Sequence, residues 1–437
     1  LPLWGGEWRG PYFNLDYHAD FLNYAIHSKK AIIDHPLNQP FGTGVIQESM
    51  RQHNPRRMAA FENVWFRLLG KDLIRFGGAK EKGGESGKWN LGVNATQRLL
   101  SRDSNQYGEY RAELYGLYRY RNLVLVNRTA TDQGFKRDPA FYGDTSSWIW
   151  GRVEDAYARF DFDAFSFFGG RISRNFGLMD EPSLILSDNP HSYDHFGFGV
   201  HTTRLDFTFY FGKLNTLRGF DSQQVIPVLV DATRYFSIQR GLLNFGRSVH
   251  LGLTQMTLYG GENKQMEFVY LNPMNLFYVG QRNHKIQMNG IWAVELFWNP
   301  SDRFSGYVQW LIDDVIVNNV PGQDDRAEHP DRMGITSKLV FTDLIGSGSQ
   351  CDLTYTRIGN WTYQSYRTWE NFTYQGQGMG YPENSVEVFG ITYRNFSLPP
   401  FLPEISVRWR RHGEQDINAV YGDSRDPFPR GIVENSF

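Results

Sequence analysis

Charged side chains recur at every second position in several segments of this chain. Arg111 and Glu113 have this spacing, as do Arg159 and Asp161. Residues of one parity share one face of a β-strand, so each pair would place both of its charges on the same face. The chemistry that this pattern predicts is ion pairing with charges on neighbouring strands.

Other residue types that often carry catalysis lack the required spacing. Asp313 and Asp314 are adjacent, so in a strand they would point to opposite faces and could not chelate a metal together. His191, His195 and His201 do not form a helical HExxH pattern, and no GxSxG nucleophile elbow is present. We therefore predict no catalytic residues, no metal site and no cofactor.

The elements that would position the charged pairs are long amphipathic strands. Glu109 to Tyr120, Trp292 to Trp298, Phe304 to Asp313 and Ile405 to Arg410 each alternate apolar with polar residues. A soluble sandwich would also alternate, but long strands with Trp and Tyr near their ends are typical of outer-membrane barrels. The candidate aromatic girdle residues are Trp89, Tyr118, Tyr120, Trp292, Trp298, Trp310 and Trp409.

Composition agrees with a membrane barrel and excludes other classes. The 437 residues carry 45 Lys and Arg against 47 Asp and Glu, so the net charge of −2 gives no reason to expect a nucleic-acid partner. No stretch approaches the roughly 18 consecutive apolar residues of a membrane-spanning helix. One cysteine, Cys351, permits no internal disulfide.

Connection lengths alternate in the way that outer-membrane barrels require, with short periplasmic turns and longer outer loops. Short connections are predicted at 120–122, 163–165, 246–248, 299–303, 343–347 and 397–402. Long connections are predicted at 131–146, 213–233, 261–284, 318–331, 359–384 and 412–430. We predict an all-β membrane protein, an antiparallel transmembrane β-barrel of about 16–18 strands over residues 81–437.

Residues 1–80 have a different pattern and are predicted to form a small periplasmic helical region. Met58 to Phe76 shows helical spacing of apolar residues, and Tyr17, Phe21 and Ala25 recur at four-residue steps. Because the chain starts at Leu1, we expect a mature form in the bacterial outer membrane after removal of a signal peptide.

The alternation breaks between Gly169 and Pro190. A strand that rises from Phe165 and another that rises from Gly199 require a descent between them. Leu184 to Leu186 is the only apolar piece available for this descent. Either these residues form a short crossing strand, or the segment folds inward through the lumen. In both cases we expect the segment to narrow the lumen.

The motifs of this segment and their order resemble the Wzi family of capsule-assembly outer-membrane proteins. The resembling residues are Gly170-Arg171, Arg174 to Gly177, Ser183 to Asn189, Arg234 to Ser237 with Gln239-Arg240, Tyr270 to Pro273, and Leu311 to Asp314. The resemblance implies an 18-stranded barrel, a periplasmic helical bundle and a role in holding capsular polysaccharide at the cell surface.

Two sets of side chains are candidates for function in such a barrel. Aromatic residues in the 359–384 loop suit a glycan, because Tyr and Trp rings can rest on sugar C–H faces while polar neighbours bind hydroxyls. The same rings could instead pack the loop against the rim. The glycan candidates are Trp361, Tyr363, Tyr366, Arg367, Trp369 and Tyr374. The predicted lumen charge network is Arg111, Glu113, Arg159, Asp161, Arg171, Arg174, Arg204, Asp206, Glu295 and Asp313.

These residues lead to two main hypotheses about function. The first is a non-enzymatic outer-membrane barrel that binds or organises surface polysaccharide. The second is a porin or substrate-specific channel, which the charged lumen motivates. An outer-membrane hydrolase is a distant third hypothesis, because the sequence contains no nucleophile constellation. In either case we expect a monomer whose partners are outer-membrane lipid and, under the first hypothesis, surface polysaccharide.

Overall fold

The computed structural model describes residues 11–12, 18–52, 58–75, 87–102, 105–138, 141, 143–144, 146, 150–277, 287–314, 332–414, 416–419 and 427–436. Three helices precede the strands: α1 (Ala19–His27), α2 (Thr43–Arg51) and α3 (Ala60–Arg75). The helix predicted between Met58 and Phe76 is confirmed over the range of α3, while Phe76 lies outside the described residues. No helix in the described part of the chain is long and apolar enough to cross a membrane.

The rest of the described chain consists mainly of antiparallel strands. They are β1 (Lys88–Arg102), β2 (Asn105–Tyr120), β3 (Leu123–Asp132), β4 (Gly151–Phe162), β5 (Phe165–Ile172), β6 (Tyr193–His201), β7 (Leu205–Lys213), β8 (Leu217–Gly219), β9 (Val230–Phe245), β10 (Val249–Glu262), β11 (Asn289–Trp298), β12 (Phe304–Asp314), β13 (Arg332–Thr342), β14 (Ser349–Ile358), β15 (Thr373–Tyr374), β16 (Gln377–Gly378), β17 (Val386–Asn395), β18 (Glu404–His412) and β19 (Glu434–Ser436).

These strands form the wall of an outer-membrane-type β-barrel. One sheet contains 17 strands, and β15 and β16 form a separate hairpin. Sequential wall strands pair with each other, and β7 and β8 pair with the same edge of β9. The described wall is therefore about 16 strands wide, which confirms the predicted all-β barrel of about 16–18 strands.

Alternation decides which face of each strand meets the interior. In β12, Ser305, Tyr307 and Gln309 are buried inside, whereas Trp310 on the other face is exposed. In another part of the wall, β4 and β5 pair with each other and also expose Phe residues on one face. The side chains that face lipid must be apolar, and the outward face of these strands meets that requirement. The backbone polar groups of such a wall are satisfied by hydrogen bonds between neighbouring strands.

The barrel has two different ends, which we call the turn end and the loop end. The six predicted short connections lie at the turn end, as the pairing of the strands shows. The long connections lie at the loop end, although 315–331 falls outside the described residues. The helices meet the turn end: Trp65 Nε1 donates to Phe396 O at 2.7 Å, and Asn299 Nδ2 donates to Ile26 O at 3.1 Å.

One predicted crossing is wrong. Leu184 to Leu186 do not form a strand, and β6 makes the descent between β5 and β7 instead. A turn at Thr202 to Arg204 separates β6 from β7. Thr202 closes this turn with its own side chain, since Leu205 N donates to Thr202 Oγ1 at 2.9 Å. The second alternative, in which the segment folds inward, describes the structure.

Candidate functional site

Residues 173–192, which we call the inner segment, leave the wall after β5 and enter the barrel. Asn175 fixes their path, because its side chain accepts from Ser183 N at 2.9 Å and donates to Leu178 O at 2.7 Å. Phe176 N donates to Leu186 O at 2.8 Å, which closes the segment on itself. The break in alternation therefore marks a compact fold within the lumen.

The barrel wall holds the inner segment through buried polar groups. Gln309 Nε2 donates to Phe176 O at 3.1 Å, and Leu184 N donates to Gln309 Oε1 at 2.6 Å. Arg240 lies over the Phe176 ring at 4.6 Å and forms an ion pair with Glu295 at 2.5 Å. Leaving any of these buried groups unpaired would cost about 1–3 kcal/mol, so they fix the position of the segment.

A second anchor is a charged cluster between the inner segment and strands β13, β14 and β17. Lys338 contacts Asp180, lies 3.4 Å from Glu181 and lies 3.2 Å from Asp352. Arg394 lies 2.8 Å from Asp352 and 3.4 Å from Asp180. Burial raises the pKa of Asp180, but Lys338 and Arg394 outweigh it and lower the pKa to about 2. Asp180 is therefore held as a carboxylate.

The helical region reaches the inner segment from the turn end. Gln39 N donates to Asn175 O at 3.1 Å, and Gln39 Nε2 donates to Gly177 O at 2.9 Å. Arg240 also donates to Leu37 O at 2.9 Å. The two inward segments thus meet in the middle of the barrel, and the lumen is filled there.

Residues 359–385, which we call the aromatic loop, cover the inner segment from the loop end. Tyr363 Oη donates to Leu184 O at 2.6 Å, and Ser187 N donates to Met379 O at 2.7 Å. Arg234 is fully buried beneath the loop and donates to the carbonyl oxygens of Trp369 at 2.7 Å, Asn371 at 2.6 Å and Thr373 at 2.9 Å. A single guanidinium therefore fixes three loop carbonyls.

The glycan candidates fall into two groups in this loop. The rings of Trp361, Tyr363, Trp369 and Tyr374 are buried, so a sugar cannot stack on them without a rearrangement of the loop. Tyr366 and Arg367 are half-buried and remain accessible. Arg367 lies 3.3 Å from both Asp221 and Glu370. A glycan-binding role of the six residues stays a prediction, and Tyr366 with Arg367 is its accessible part.

Glu370 is an unusual group beneath this accessible surface. Burial raises its pKa to about 6, although Arg367 and a hydrogen bond from Ser365 Oγ at 3.0 Å act in the opposite direction. Its charge therefore changes in a mildly acidic range, and with it the strength of its contact with Arg367.

Several of the predicted lumen charges form ion pairs on the inner face of the wall, Arg111–Glu113 and Arg159–Asp161 within one strand, and Arg111–Asp132 across neighbouring strands as predicted. Asp206 contacts His201, and Arg174, in the inner segment, lies among aromatic rings. The ion pairs are Arg111–Glu113 at 2.5 Å, Arg159–Asp161 at 2.9 Å, Arg240–Glu295 at 2.5 Å and Arg332–Asp313 at 3.6 Å.

Two residues of the predicted lumen network need correction. Arg204 is exposed in the turn between β6 and β7, because the strand begins one residue later than the alternation suggested. Arg171 contacts Asp194, whose side chain is exposed, near the loop end of β5 and β6. It therefore lies at the rim and not inside the filled lumen.

The fold also creates a Ser–His–Asp arrangement that the sequence did not reveal. Ser166 Oγ lies 2.7 Å from His201 Nε2, and His201 Nδ1 contacts Asp206 Oδ2. The three residues come from the neighbouring strands β5, β6 and β7, so only the strand register could have indicated it. Ser166 is 5% exposed, and a Cβ at Gly199 would lie 2.4 Å from His201 Nε2. We assign these contacts to packing of the wall.

Comparison with solved structures supports the barrel fold. Wzi, an outer-membrane protein involved in group 1 capsule assembly in Escherichia coli and described as a carbohydrate-binding β-barrel, matches with a TM-score of 0.61 and 12% identity. The match covers 92% of this chain and 84% of that one. A Rhodopseudomonas blastica porin variant and Pseudomonas aeruginosa OccK11 match with TM-scores of 0.37 and 0.39 and identities of 8% and 11%. The porin match covers 80% of this chain and 98% of that one, and the OccK11 match covers 77% and 81%.

No family model and no curated protein matches the sequence. The similarity to the Wzi structure, at 12% identity, shows the fold alone, which is that of an outer-membrane β-barrel.

Proposed function

We propose that this barrel resides in the outer membrane and binds surface polysaccharide at its loop end without catalysing a reaction. The observation that carries the proposal is the filled lumen. A porin needs a water-filled path between its two ends. Here the inner segment, the aromatic loop and the residues before α2 occupy the middle of the barrel. A binding surface at the loop end needs no such path.

The loop end has the properties of a pre-organised binding surface. Arg234 and the inner segment hold the aromatic loop from below, so little conformational entropy would be lost when a ligand binds. Ser222 N donates to Tyr366 O at 2.9 Å, which joins the aromatic loop to the loop between β8 and β9. The carbohydrate-binding description of the structurally similar Wzi barrel adds support.

Tyr366 and Arg367 are the residues that we propose to contact the polysaccharide. A sugar ring can rest its C–H face on the Tyr366 ring, and its hydroxyl groups can accept from the Arg367 guanidinium. The buried Trp361 and Trp369 would act indirectly, because they shape the loop that presents these two side chains.

Binding of purified capsular polysaccharides to the detergent-solubilised protein would test this proposal. Tyr366→Ala and Arg367→Ala should each weaken binding by about tenfold, as expected for loss of one aromatic or charged contact. Tyr120→Ala is the matched control, because Tyr120 is exposed at the turn end of β2. Equal binding by all three variants, or an absence of binding by the unmodified protein across the panel, would contradict the proposal.

A further inference from the structure

A cavity of about 600 Å³ opens at the turn end of the barrel. It lies between α2 with its preceding segment and the turns that join β4 to β5 and β6 to β7. Arg159, Arg174, Tyr12 and Tyr210 line it, and Arg204 lines it from an exposed turn. This cavity is at the opposite end from the proposed polysaccharide surface, so a ligand bound in it would not depend on polysaccharide binding.

Arg174 is an unusual residue in this cavity, because it is a buried cation without a carboxylate partner among the described residues. Its side chain is 2% exposed, and its Nη2 has no hydrogen-bond partner. Nε donates to His195 Nε2 at 2.7 Å. His195 Nδ1 lies 3.0 Å from Tyr193 O, so this nitrogen carries the proton and Nε2 is a neutral acceptor. His195 therefore does not neutralise the guanidinium.

Aromatic rings compensate the charge of Arg174 only in part. Its guanidinium carbon lies 3.9 Å from the Tyr210 ring centroid and 4.5 Å from that of Phe168. The ring faces attract the cation, and the Tyr12 hydroxyl offers it a lone pair, but neither supplies the full negative charge of a carboxylate. The neighbouring Arg159 differs, since Asp161 already pairs with it at 2.9 Å. Among the described residues no carboxylate pairs with the buried Arg174, and burying such a charge is costly.

Tyr12 responds to the same positive field. Burial raises its pKa, but Arg159 and Arg174 outweigh burial, and the pKa lies below the usual value. The Tyr12 ring lies 4.5 Å from the guanidinium carbon of Arg159 and 5.2 Å from that of Arg174. This part of the cavity therefore favours negative charge and also offers an aromatic surface.

We propose that the cavity is a binding site for a small carboxylate-bearing ligand, whose carboxylate pairs with Arg174 while its ring rests on the half-buried Tyr12. A monoanion fits better than phosphate, because Arg174 is the one buried cation of the described lining that lacks a carboxylate partner, and several carboxylates line the same cavity. These carboxylates are Asp34, Glu48, Asp163 and Asp206. The volume suits a ligand with one or two rings, as pockets of about 300–1,000 Å³ generally do.

Isothermal titration calorimetry of the purified full-length protein would test the site with glucuronate, glucose and inorganic phosphate as probes. Glucuronate and glucose differ in the carboxylate, so the unmodified protein should bind glucuronate at least about tenfold more tightly than glucose. Phosphate should bind more weakly than glucuronate. Equal affinities for glucuronate and glucose, or tighter binding of phosphate, would overturn the proposal, and neither comparison requires a variant.

Two variants then show which arginine binds the carboxylate of glucuronate. Arg174→Met should weaken glucuronate binding by about tenfold or more while it preserves much of the side-chain volume. Arg204→Met removes an exposed cation from the same cavity and should leave the affinity within about twofold. Loss of binding in both variants would show that general charge and not Arg174 attracts the ligand. Resistance of the folded barrel to dodecyl sulfate without heating confirms that each variant is folded.

Discussion

Replacement of Lys338 by Met should release the inner segment from the wall. Lys338 is 2% exposed and faces Asp180, Glu181 and Asp352. Without it, Asp180 and Asp352 keep their contacts with Arg394, whereas Glu181 loses its contact with Lys338. Removing one partner from a buried ionic cluster typically costs about 3–5 kcal/mol. Because 1.4 kcal/mol corresponds to about tenfold in an equilibrium, the open population should rise by about a hundredfold or more.

Cysteine labelling measures this opening directly. Ser187 is fully buried in the inner segment, so Ser187→Cys, in a Cys351→Ser background, reacts with a maleimide only when the segment opens. We expect Lys338→Met to accelerate labelling by about a hundredfold relative to the exposed reference Thr216→Cys. Lys213→Met removes an exposed lysine from β7 and should change nothing. Unchanged labelling in Lys338→Met would refute the anchoring role of the cluster.

Lowering the pH should change the labelling rate of Ser187→Cys in opposite directions in the otherwise unmodified barrel and in Lys338→Met. In the unmodified chain, burial raises the pKa values of Glu181 and Asp352, so their contribution to closure is already complete below about pH 4. The pKa of Asp180 is lowered to about 2, so its contribution is present above about pH 4 and is lost as pH falls towards 2, where labelling relative to Thr216→Cys should accelerate. In Lys338→Met the carboxylates lose a cation, so protonation should favour burial and slow labelling as pH falls. The same direction of change in both proteins would contradict this reasoning.

Three further predictions concern the aromatic loop and the wall. Arg234→Lys should accelerate limited proteolysis within 359–385 by about tenfold, because an ammonium cannot reproduce the guanidinium fork that binds three carbonyls. An unchanged cleavage rate would show that Arg234 does not hold the aromatic loop. Burial raises the pKa of Glu370 to about 6, so its stabilising contribution is present below about pH 4.3 and is lost as pH rises through 6. Proteolysis of the loop should therefore increase over that range, and Glu370→Gln should abolish the increase; persistence of the pH dependence in this variant would assign it to another group. A fluorophosphonate probe should not label Ser166, because its hydroxyl is buried; labelling that Ser166→Ala removes would overturn the proposal that the barrel is not an enzyme.

Local alternation was sufficient to predict most of the wall. In β12 the inward Ser305, Tyr307 and Gln309 and the outward Trp310 follow directly from parity. The turn at Thr202 was missed because Thr202-Thr203-Arg204 contains none of the Gly, Pro, Asn or Asp residues that usually signal turns. Apolar residues alternate on both sides of the turn, at Phe196 and Phe198 before it and at Leu205 and Phe207 after it, but their parity changes across the turn. This change of parity is the signal in the sequence that marks the boundary between the two strands.

The interior of the barrel could not be predicted in the same way, because its contacts join residues that are distant in sequence. The aromatic loop had two possible roles, and its burial depends on Arg234, which is more than a hundred residues away. The pairing of Ser166 with His201 depends on strand register. Among the described residues Arg174 has no carboxylate partner, and this depends on which groups the neighbouring elements place beside it. Inward folding of the inner segment was one of two predicted alternatives, since a break in alternation does not by itself determine the path.

Planar-bilayer conductance of the purified protein tests the central claim most directly. The inner segment, anchored by Gln309, Arg240 and Lys338, and the residues before α2 fill the lumen. We therefore predict no steady current from the unmodified barrel at neutral pH, and currents from Lys338→Met at the same protein density. Steady open-channel currents from the unmodified protein would contradict the filled lumen and favour the channel hypothesis.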